Sequence, residues 1–145
     1  MPTYVVKFAN LELSEIQKND LAKGITEVHS KVTGANKFFA QVYYEKSEKG
    51  NHYMGGKINK SSEIFLYGRI RAGRTSETKN RLLLELRDVI KRSLNLEIDN
   101  IWVYLLDLPP NQMIEYGKIL PNSGEEKEWF ENLSDKLKKR LLNME

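Results

Sequence analysis

The chain has 145 residues, which suits one compact domain and leaves no room for a second large one. Apolar residues make up 40% and charged residues 30% of the sequence, which is typical of folded proteins. The absence of cysteine excludes disulfides, thiolate nucleophiles and cysteine-bound metals, and two histidines offer little for a metal. The net charge of +3 is spread along the chain, no apolar run approaches the roughly 20 residues of a membrane helix, and no secretory signal opens the sequence. We therefore expect a cytoplasmic protein that binds neither nucleic acid nor a membrane.

The predicted elements occur twice. The first strand covers Thr3–Ala9, and a similar apolar run covers 64–70, at an offset of 61 residues. Ser14 is predicted to begin the following helix because it forms a capping box with Gln17, and Thr75 supplies another N-cap residue at the same offset.

Apolar stripes with a period of 3.6 residues support both helices, and Gly34 suits the C-cap of the first. The stripe residues are Leu21, Ala22, Ile25, Val28 and Val32 in the first helix and Leu82, Leu83, Leu86, Val89 and Ile90 in the second. An apolar strand follows each helix, over 38–44 and over 101–106. Each copy is therefore a β-α-β unit, whose two strands are parallel and joined by a right-handed connection.

Two stretches lie outside these units. The polar stretch 46–62 contains three glycines and is typical of a loop or a short hairpin. An irregular stretch follows the two prolines at 109–110, and over 125–142 four apolar residues recur every four positions, which predicts one amphipathic helix. These four residues are Trp129, Leu133, Leu137 and Leu141.

The sequence predicts an α+β fold in a single domain, with an internal repeat of about 2–45 and 63–107 and an extension over 109–145. The four strands form a mixed sheet with the two helices on one face. Because the closing strands are almost continuously apolar, as in sheets covered on both faces, the other face needs a cover. We expect another copy of the chain to supply it, which makes the protein a homo-oligomer.

Pro2 is the first candidate for chemistry. It directly follows the initiator methionine and is a small residue of the kind after which methionine is usually removed. Removal leaves a secondary amine at the start of a strand, and an α-amino group titrates close enough to neutrality to act as a general acid or base. Taken alone, a proline that merely begins a strand is the simpler explanation.

Arg71 and Arg74 form the second candidate, in the sequence GRIRAGRT over 68–75. They lie beside the free backbone N–H groups of a helix N-terminus, which favours anions, and two guanidinium groups there can bind a carboxylate. The Gly-Lys-Ser/Thr of a P-loop does not follow. On this pattern alone, two solvated surface arginines explain the residues equally well.

Three further side chains are candidates. His29 lies on the apolar face of the first helix, where a buried or subunit-contact histidine is the ordinary interpretation. Tyr104 lies in the middle of a strand, where an aromatic core residue is also ordinary. Glu115 follows that strand in a loop that either brings a carboxylate over the end of the sheet or leaves it solvated.

Several short segments, in this order along nearly the whole chain, match one family. Besides Pro2 they are HSKVTG at 29–34, FAQV at 39–42, GG at 55–56, RAGR at 71–74, IWVY at 101–104, QMIEYG at 112–117 and LP at 120–121. The chain resembles the tautomerase superfamily, whose members consist of β-α-β units and use an amino-terminal proline. Within it, the sequence is most similar to the cis-3-chloroacrylic acid dehalogenase group, and the IWVY and EYG pieces are the most specific part of that similarity.

The resemblance implies the residues of a site, a reaction and an assembly. The implied site consists of Pro2, His29, Arg71, Arg74, Tyr104 and Glu115. In that group the arginines, helped by the histidine, hold a small carboxylate, the glutamate and tyrosine activate a water for attack at C3, and the proline delivers a proton to C2. A 3-haloacrylate would then yield malonate semialdehyde and halide, whereas the same amine would tautomerise an enol or 2-oxo acid. The resemblance also implies a homotrimer that uses no metal or organic cofactor.

The sequence thus predicts an amino-terminal-proline enzyme that adds water to, or moves protons on, small unsaturated or 2-oxo carboxylates. Two alternatives stay open. One is a keto-enol tautomerase or hydratase of an unhalogenated acid, and the other is a non-catalytic trimer in which Arg71 and Arg74 bind an anion. Removal of Met1 is essential to catalysis, because a retained Met1 would make the Pro2 nitrogen a tertiary amide.

Overall fold

A mixed four-stranded sheet with two long helices organises the chain, of which the computed structural model describes residues 2–144. The strands are β1 Thr3–Ala9, β2 Gln41–Lys46, β3 Tyr53–Met54, β4 Lys57–Ile58, β5 Glu63–Arg71, β6 Ile101–Leu108, β7 Ile114–Glu115 and β8 Lys118–Ile119. The helices are α1 Glu15–Thr33, α2 Ser76–Leu94, α3 Glu126–Glu131 and α4 Asp135–Leu142, with short 3-10 turns at Lys37–Phe39, Ile98–Asn100 and Pro110–Gln112. Among residues 2–144, none of the helices has the length and apolar character needed to cross a lipid bilayer.

The sheet has the strand order β2-β1-β5-β6. The pairs β1–β2 and β5–β6 are parallel, as predicted for two β-α-β units, and the central pair β1–β5 is antiparallel. Thr3 of β1 therefore lies opposite Arg69 of β5, so that β1 begins at the edge of the sheet where β5 ends. This register brings the start of the chain close to the arginines at the end of β5. The predicted α+β class is confirmed.

The predicted helix boundaries are confirmed by their caps. The Ser14 hydroxyl accepts a hydrogen bond from the Gln17 amide at 3.1 Å, and the Gln17 side chain accepts one from the Ser14 amide at 3.0 Å, which completes the capping box. Thr75 caps α2 by accepting from the Thr78 amide at 3.1 Å. Gly34 ends α1 in the left-handed region with φ +73°, as a C-cap glycine does.

The repeat extends beyond the two β-α-β units. The helices α1 and α2 and the 3-10 turns after them match at the offset of 61 residues, and so do the hairpins β3–β4 and β7–β8. The central turn residues have positive φ in both hairpins, at Gly55 and Gly56 and at Tyr116 and Gly117, as a tight type I′ hairpin turn requires. The stretch 46–62 thus contains the predicted short hairpin, and the stretch predicted to be irregular contains its equivalent.

The main hydrophobic core lies between the sheet and the two long helices. Its fully buried members include Tyr4, Val6, Leu21, Ile25, Ile64, Leu66, Leu82, Leu86 and Ile90. Each buried aliphatic side chain contributes roughly 1.5–3 kcal/mol to stability. The other face of the sheet leaves Tyr43, Trp102, Tyr104 and Leu106 exposed in a single chain. The two helices therefore cover one face only, as expected, and the open face is strongly apolar.

The structure corrects two predicted elements. The strand predicted over 38–44 begins at Gln41, because Phe38 and Phe39 lie in a 3-10 turn and pack against the C-terminal segment. The single helix predicted over 125–142 is wrong: α3 and α4 are separate, and the Ser134 hydroxyl begins α4 by accepting a hydrogen bond from the Leu137 amide at 3.3 Å. The two short helices form a second, smaller cluster with that turn, and its buried members are Phe38, Phe39, Leu120, Trp129, Leu133 and Leu141.

Candidate active site

Arg71 and Arg74 lie at the junction between β5 and α2. Arg71 is the last residue of β5, and the Ala72 amide continues the ladder by donating to the Leu108 carbonyl at 2.8 Å. Gly73 then adopts φ +110°, a conformation that side chains rarely allow, and the chain turns into α2. The turn directs both arginines toward one cavity of about 630 Å³.

The cavity has walls of different chemistry. One wall is aromatic, with Phe38, Phe39 and Phe130, and the other comes from the C-terminal segment, with Ser123, Gly124, Glu126 and Lys127. The Arg71 side chain is only 2% exposed; its Nη1 donates to the Pro121 carbonyl at 3.0 Å, and its Nη2 pairs with the Glu126 carboxylate. Partial burial raises the pKa of Glu126, but the ion pair with Arg71 and the hydrogen bond from the Gly124 amide outweigh this effect. The pKa of Glu126 therefore lies below its ordinary value.

Both guanidinium groups keep unused donors. The Nε atoms of Arg71 and Arg74 are buried and have no hydrogen-bond partner among residues 2–144. Burial and the positive charge of Arg71 lower the pKa of Arg74, with Glu126 and Asp107 opposing this in part. A buried donor without a partner costs free energy, and a carboxylate is the group that satisfies a guanidinium best. The arrangement therefore suits a small anion.

His29 lies beside this cation pair but is itself uncharged. It is buried on α1, and its Nδ1 lies 2.7 Å from the hydroxyl of Tyr4, a fully buried residue of β1. Burial, with a contribution from the positive charge of Arg74, lowers the pKa of His29 to about 3, and burial raises the pKa of Tyr4. We assign the Tyr4 hydroxyl as the donor, because its buried hydrogen otherwise lacks an acceptor. The proton of His29 then sits on Nε2, which makes that atom a neutral hydrogen-bond donor.

Pro2 lies at the start of β1, at the same edge of the sheet. Its side chain is buried, and its carbonyl accepts from the Gln41 amide at 3.0 Å. Continuing the β1–β5 register places Pro2 level with Ile70, which directly precedes Arg71. Met1, whose removal the predicted chemistry requires, lies outside the described residues.

Glu115 borders a second, adjoining depression. It lies on β7 and pairs with Lys118 of β8, and it lines a depression of about 390 Å³ together with Thr3 and Gln41. Phe39 borders both this depression and the larger cavity, so that the two adjoin each other. Thr3 follows Pro2 directly, and Glu115 therefore lies near the start of β1.

Tyr104 does not join the other five within one chain. It is 54% exposed on the open face of the sheet, with its ring 5.0 Å from that of Phe65. The register places it level with Tyr67 and Val5, two strands and three residues away from Pro2, or about 14 Å. The structure brings Pro2, His29, Arg71, Arg74 and Glu115 to one edge of the sheet and leaves Tyr104 on the surface.

Sequence reasoning missed two residues of this region. Tyr4 fixes the orientation of His29, and a tyrosine inside an apolar strand is a signal that a polar partner is needed, although it does not name that partner. Glu126 pairs with Arg71 across 55 residues, and nothing in the charged stretch around it distinguishes it from its neighbours.

Comparison with known proteins identifies the fold and the family. Residues 1–133 match the family described as "Putative oxalocrotonate tautomerase enzyme". The crystal structure of N1, a member of the cis-3-chloroacrylic acid dehalogenase family, is 28% identical with a TM-score of 0.92, covering 97% of this chain and 99% of that one. Native Ps01740 is 27% identical with a TM-score of 0.73, covering 78% of this chain and 99% of that one.

The same fold occurs in a fused 4-OT. A fused 4-OT described as a symmetric trimer is 19% identical with a TM-score of 0.74, covering 81% of this chain and 94% of that one. At that identity the likeness shows the fold alone. No curated protein matches the chain.

Proposed function

Since the chain belongs to the oxalocrotonate tautomerase family and is similar to the cis-3-chloroacrylic acid dehalogenases, we propose that it is an enzyme of small unsaturated or 2-oxo carboxylates. It adds water to them, or moves protons on them, with Pro2 as the acid-base group. The observation that carries this proposal is the convergence of two arginines with unused donors and a neutral buried histidine on the edge of the sheet where Pro2 begins β1.

The arginines bind the carboxylate of the substrate. The Nε atoms of Arg71 and Arg74 supply charged donors, and the Nε2–H of His29 supplies a neutral one. A neutral histidine suits this role because it adds a donor without a third positive charge. These donors also withdraw electron density from a double bond conjugated with the carboxylate, which makes C3 electrophilic.

Pro2 transfers the proton. After removal of Met1 its nitrogen is a secondary amine, which can act as a general acid or a general base near neutrality. In hydration, water adds to C3 and the ammonium of Pro2 donates a proton to C2. With a 3-haloacrylate, the resulting halohydrin loses halide and a proton and leaves malonate semialdehyde. In tautomerisation, the neutral amine takes a proton from oxygen or carbon and returns it to the other.

Glu115 and Tyr104 aim the water. Glu115 lines a depression together with Thr3, the residue after Pro2, and its carboxylate accepts a proton from the attacking water. Tyr104 reaches such a site only from another copy, because it lies on the exposed face about 14 Å from Pro2 of its own chain. The apolar open face favours this assembly, and we propose a homotrimer in which each site takes Tyr104 from a neighbour.

The test starts with the amino terminus. Intact mass of the purified protein establishes whether Met1 is removed, and proton NMR of the same material follows cis-3-chloroacrylate. Conversion to malonate semialdehyde is the expected result. Absence of that product, with turnover of a 2-oxo or acetylenic carboxylate, would select tautomerase or hydratase action on an unhalogenated acid.

The alternative of a non-catalytic anion-binding trimer has its own signature. Arg71 and Arg74 bind an anion whether or not Pro2 has a free nitrogen. A retained Met1, no turnover of any of these acids and carboxylate binding that depends on Arg74 would contradict the enzyme and support the binding protein.

A further inference from the structure

Glu126 occupies part of the anion site of Arg71. The Nε and Nη2 atoms of a guanidinium lie on one edge and form the fork that a carboxylate takes with both oxygens. In Arg71, Nη2 is taken by the Glu126 carboxylate, whereas Nε is buried and has no partner among residues 2–144. The chain itself therefore supplies a carboxylate to Nη2 and leaves the Nε donor of the same guanidinium open.

The position of Glu126 is fixed by the segment that carries it. Its other oxygen accepts from the Gly124 amide at 2.7 Å, and the Pro121 and Asn122 carbonyls of the same segment accept from Nη1 of Arg71. The second hydrophobic cluster, through the buried ring of Trp129, holds α3 in place. Glu126 is thus a built part of the cavity wall, with its carboxylate held against the guanidinium.

This contact changes the charge that a ligand meets. Arg71 is neutralised by Glu126, while Arg74 makes no ion pair among residues 2–144, and Lys127 stands exposed at the rim. Arg74, which lies near Glu126 and Asp107 but makes no ion pair among residues 2–144, remains beside the open Nε of Arg71, which is enough for one carboxylate. A second carboxylate inside the same cavity would face Glu126.

We propose that Glu126 is a specificity-determining residue that restricts this cavity to ligands with a single carboxylate, held by Arg74 and the open Nε of Arg71. The proposal rests on the carboxylate site of the proposed function and adds the charge class of its substrate. A dicarboxylate is disfavoured because Glu126 already balances one of the two guanidinium charges, so that a second ligand carboxylate would lose its water without gaining a counter-charge.

The binding test uses propionate and succinate, which differ by one carboxylate and undergo none of the proposed chemistry. Isothermal titration calorimetry at about pH 8, where both acids are fully ionised, gives the ratio of the succinate Kd to the propionate Kd. Glu126→Gln removes the charge and keeps an oxygen that can accept from Arg71. We expect this variant to lower the ratio at least about fivefold, because a fixed like charge disappears. Glu128→Gln is the matched control, since Glu128 is exposed on the same helix and does not line the cavity, and the ratio should not change.

A second variant changes the same ratio of dissociation constants and leaves Glu126 in place, so that its result does not depend on whether a substitution at position 126 disturbs the fold. Lys127→Glu places a new negative charge on the exposed rim, and it should raise the ratio, with circular dichroism melts showing that each variant is folded. An unchanged ratio in Glu126→Gln, or the same shift in Glu128→Gln, would overturn the proposal.

Arg74→Ala separates this inference from the proposed function. If both acids bind and both lose binding in Arg74→Ala, the carboxylate site stands, and the ratio alone decides the role of Glu126. If neither acid binds, or if binding ignores Arg74, the carboxylate site is wrong and the inference fails with it.

Discussion

The two β-α-β units place equivalent backbone at opposite ends of the strands of one sheet, because β1 and β5 run antiparallel at its centre. The first edge is the end where β1 begins and β5 ends, and the second edge is the end where β5 begins and β1 ends. The offset of 61 residues relates Pro2 to Glu63, His29 to Ile90, Arg74 to Leu13 and Arg71 to Asn10. At each of these four positions the two units carry different residues, and neither arginine nor the histidine has a like residue at the second edge. The backbone offers the same local geometry twice, and the side chains decide which edge can bind an anion.

At the second edge, side chains form hydrogen bonds with neighbouring residues of the same chain. The Glu63 carboxylate accepts from the Asn59 side chain at 2.8 Å, and the Asn10 side chain donates to the carbonyls of Asn59 and Ser61 at 2.9 and 3.0 Å. Ile90 is fully buried where the first unit has His29. The Glu63 and Asn10 side chains at this edge have partners within the chain, whereas two guanidinium nitrogens at the first edge have none among residues 2–144.

The largest expected difference between the edges concerns Pro2 and Glu63. Pro2→Ala should lower kcat/KM for the accepted carboxylate about a thousandfold, because the amine that moves the proton changes its basicity and its position. Glu63→Gln, at the equivalent position, should leave kcat/KM within about threefold of the native value because it touches no substrate. Steady-state kinetics on protein of verified amino terminus measures both. Full activity in Pro2→Ala would refute the proposed chemistry.

The second difference concerns how the free energy of unfolding depends on pH, through His29 at the first edge. Folded His29 stays neutral down to about pH 3, whereas in the unfolded chain it binds a proton near pH 6.5. The unfolded state therefore gains protons that the folded state does not, and the free energy of unfolding falls as the pH drops below about 6.5, by about 3 kcal/mol at pH 4. His29→Gln should remove this component, as urea denaturation at several pH values would show. An equal slope in native and variant protein would mean that His29 is charged when folded.

The third difference concerns the arginines. Arg74→Ala should lower kcat/KM at least about tenfold, since it removes a guanidinium whose buried Nε has no partner among residues 2–144. Arg81→Ala is the matched control, because Arg81 lies exposed on α2, the helix that follows Arg74, and its ion pair among residues 2–144 is with Glu85. Its kcat/KM should remain at the native value, and equal losses in the two variants would place the anion elsewhere.

The smallest difference concerns the N-cap residues of α1 and α2, which should contribute equally to stability but unequally to activity. Ser14→Ala and Thr75→Ala each remove the side-chain acceptor of an equivalent helix and should cost about 1 kcal/mol of unfolding free energy. Only Thr75 adjoins Arg74, so that only Thr75→Ala should also lower kcat/KM, by about threefold. Chemical denaturation and steady-state kinetics of both variants provide the comparison. A kinetic loss in Ser14→Ala would mean that both helices act on the site.

Local chemistry explains which parts of the fold could be predicted. The capping box of Ser14 and Gln17 and the C-cap at Gly34 depend on neighbours within four residues, and all are confirmed. The split between α3 and α4 was missed because the spacing from Trp129 to Leu141 continues across it, although Ser134 carries the signal of a new N-cap. Phe38 and Phe39 look like strand residues in isolation, and only the distant aromatic cluster shows why they turn away.

The candidate site divides in the same way. The arginines follow from the local strand-to-helix pattern and lie together in the structure, whereas the roles of all six residues rest on the family resemblance and stay predictions. The contacts Tyr4–His29 and Arg71–Glu126 join residues 25 and 55 positions apart. Neither spacing has a local signature, and therefore the orientation of His29 and the partial neutralisation of Arg71 required the structure.

The two walls of the cavity are supported by two separate hydrophobic clusters. Arg71 and His29 lie on β5 and α1, which pack in the main core, whereas Glu126 and Phe130 belong to a segment that the second cluster holds in place. Segments with few buried contacts open without global unfolding. Amides of α3 and α4 should therefore exchange with solvent deuterium faster than those of α1 and β5, and each such opening exposes Arg71. The same separation lets substitutions in the C-terminal segment reshape the pocket while the repeat that supports it stays folded.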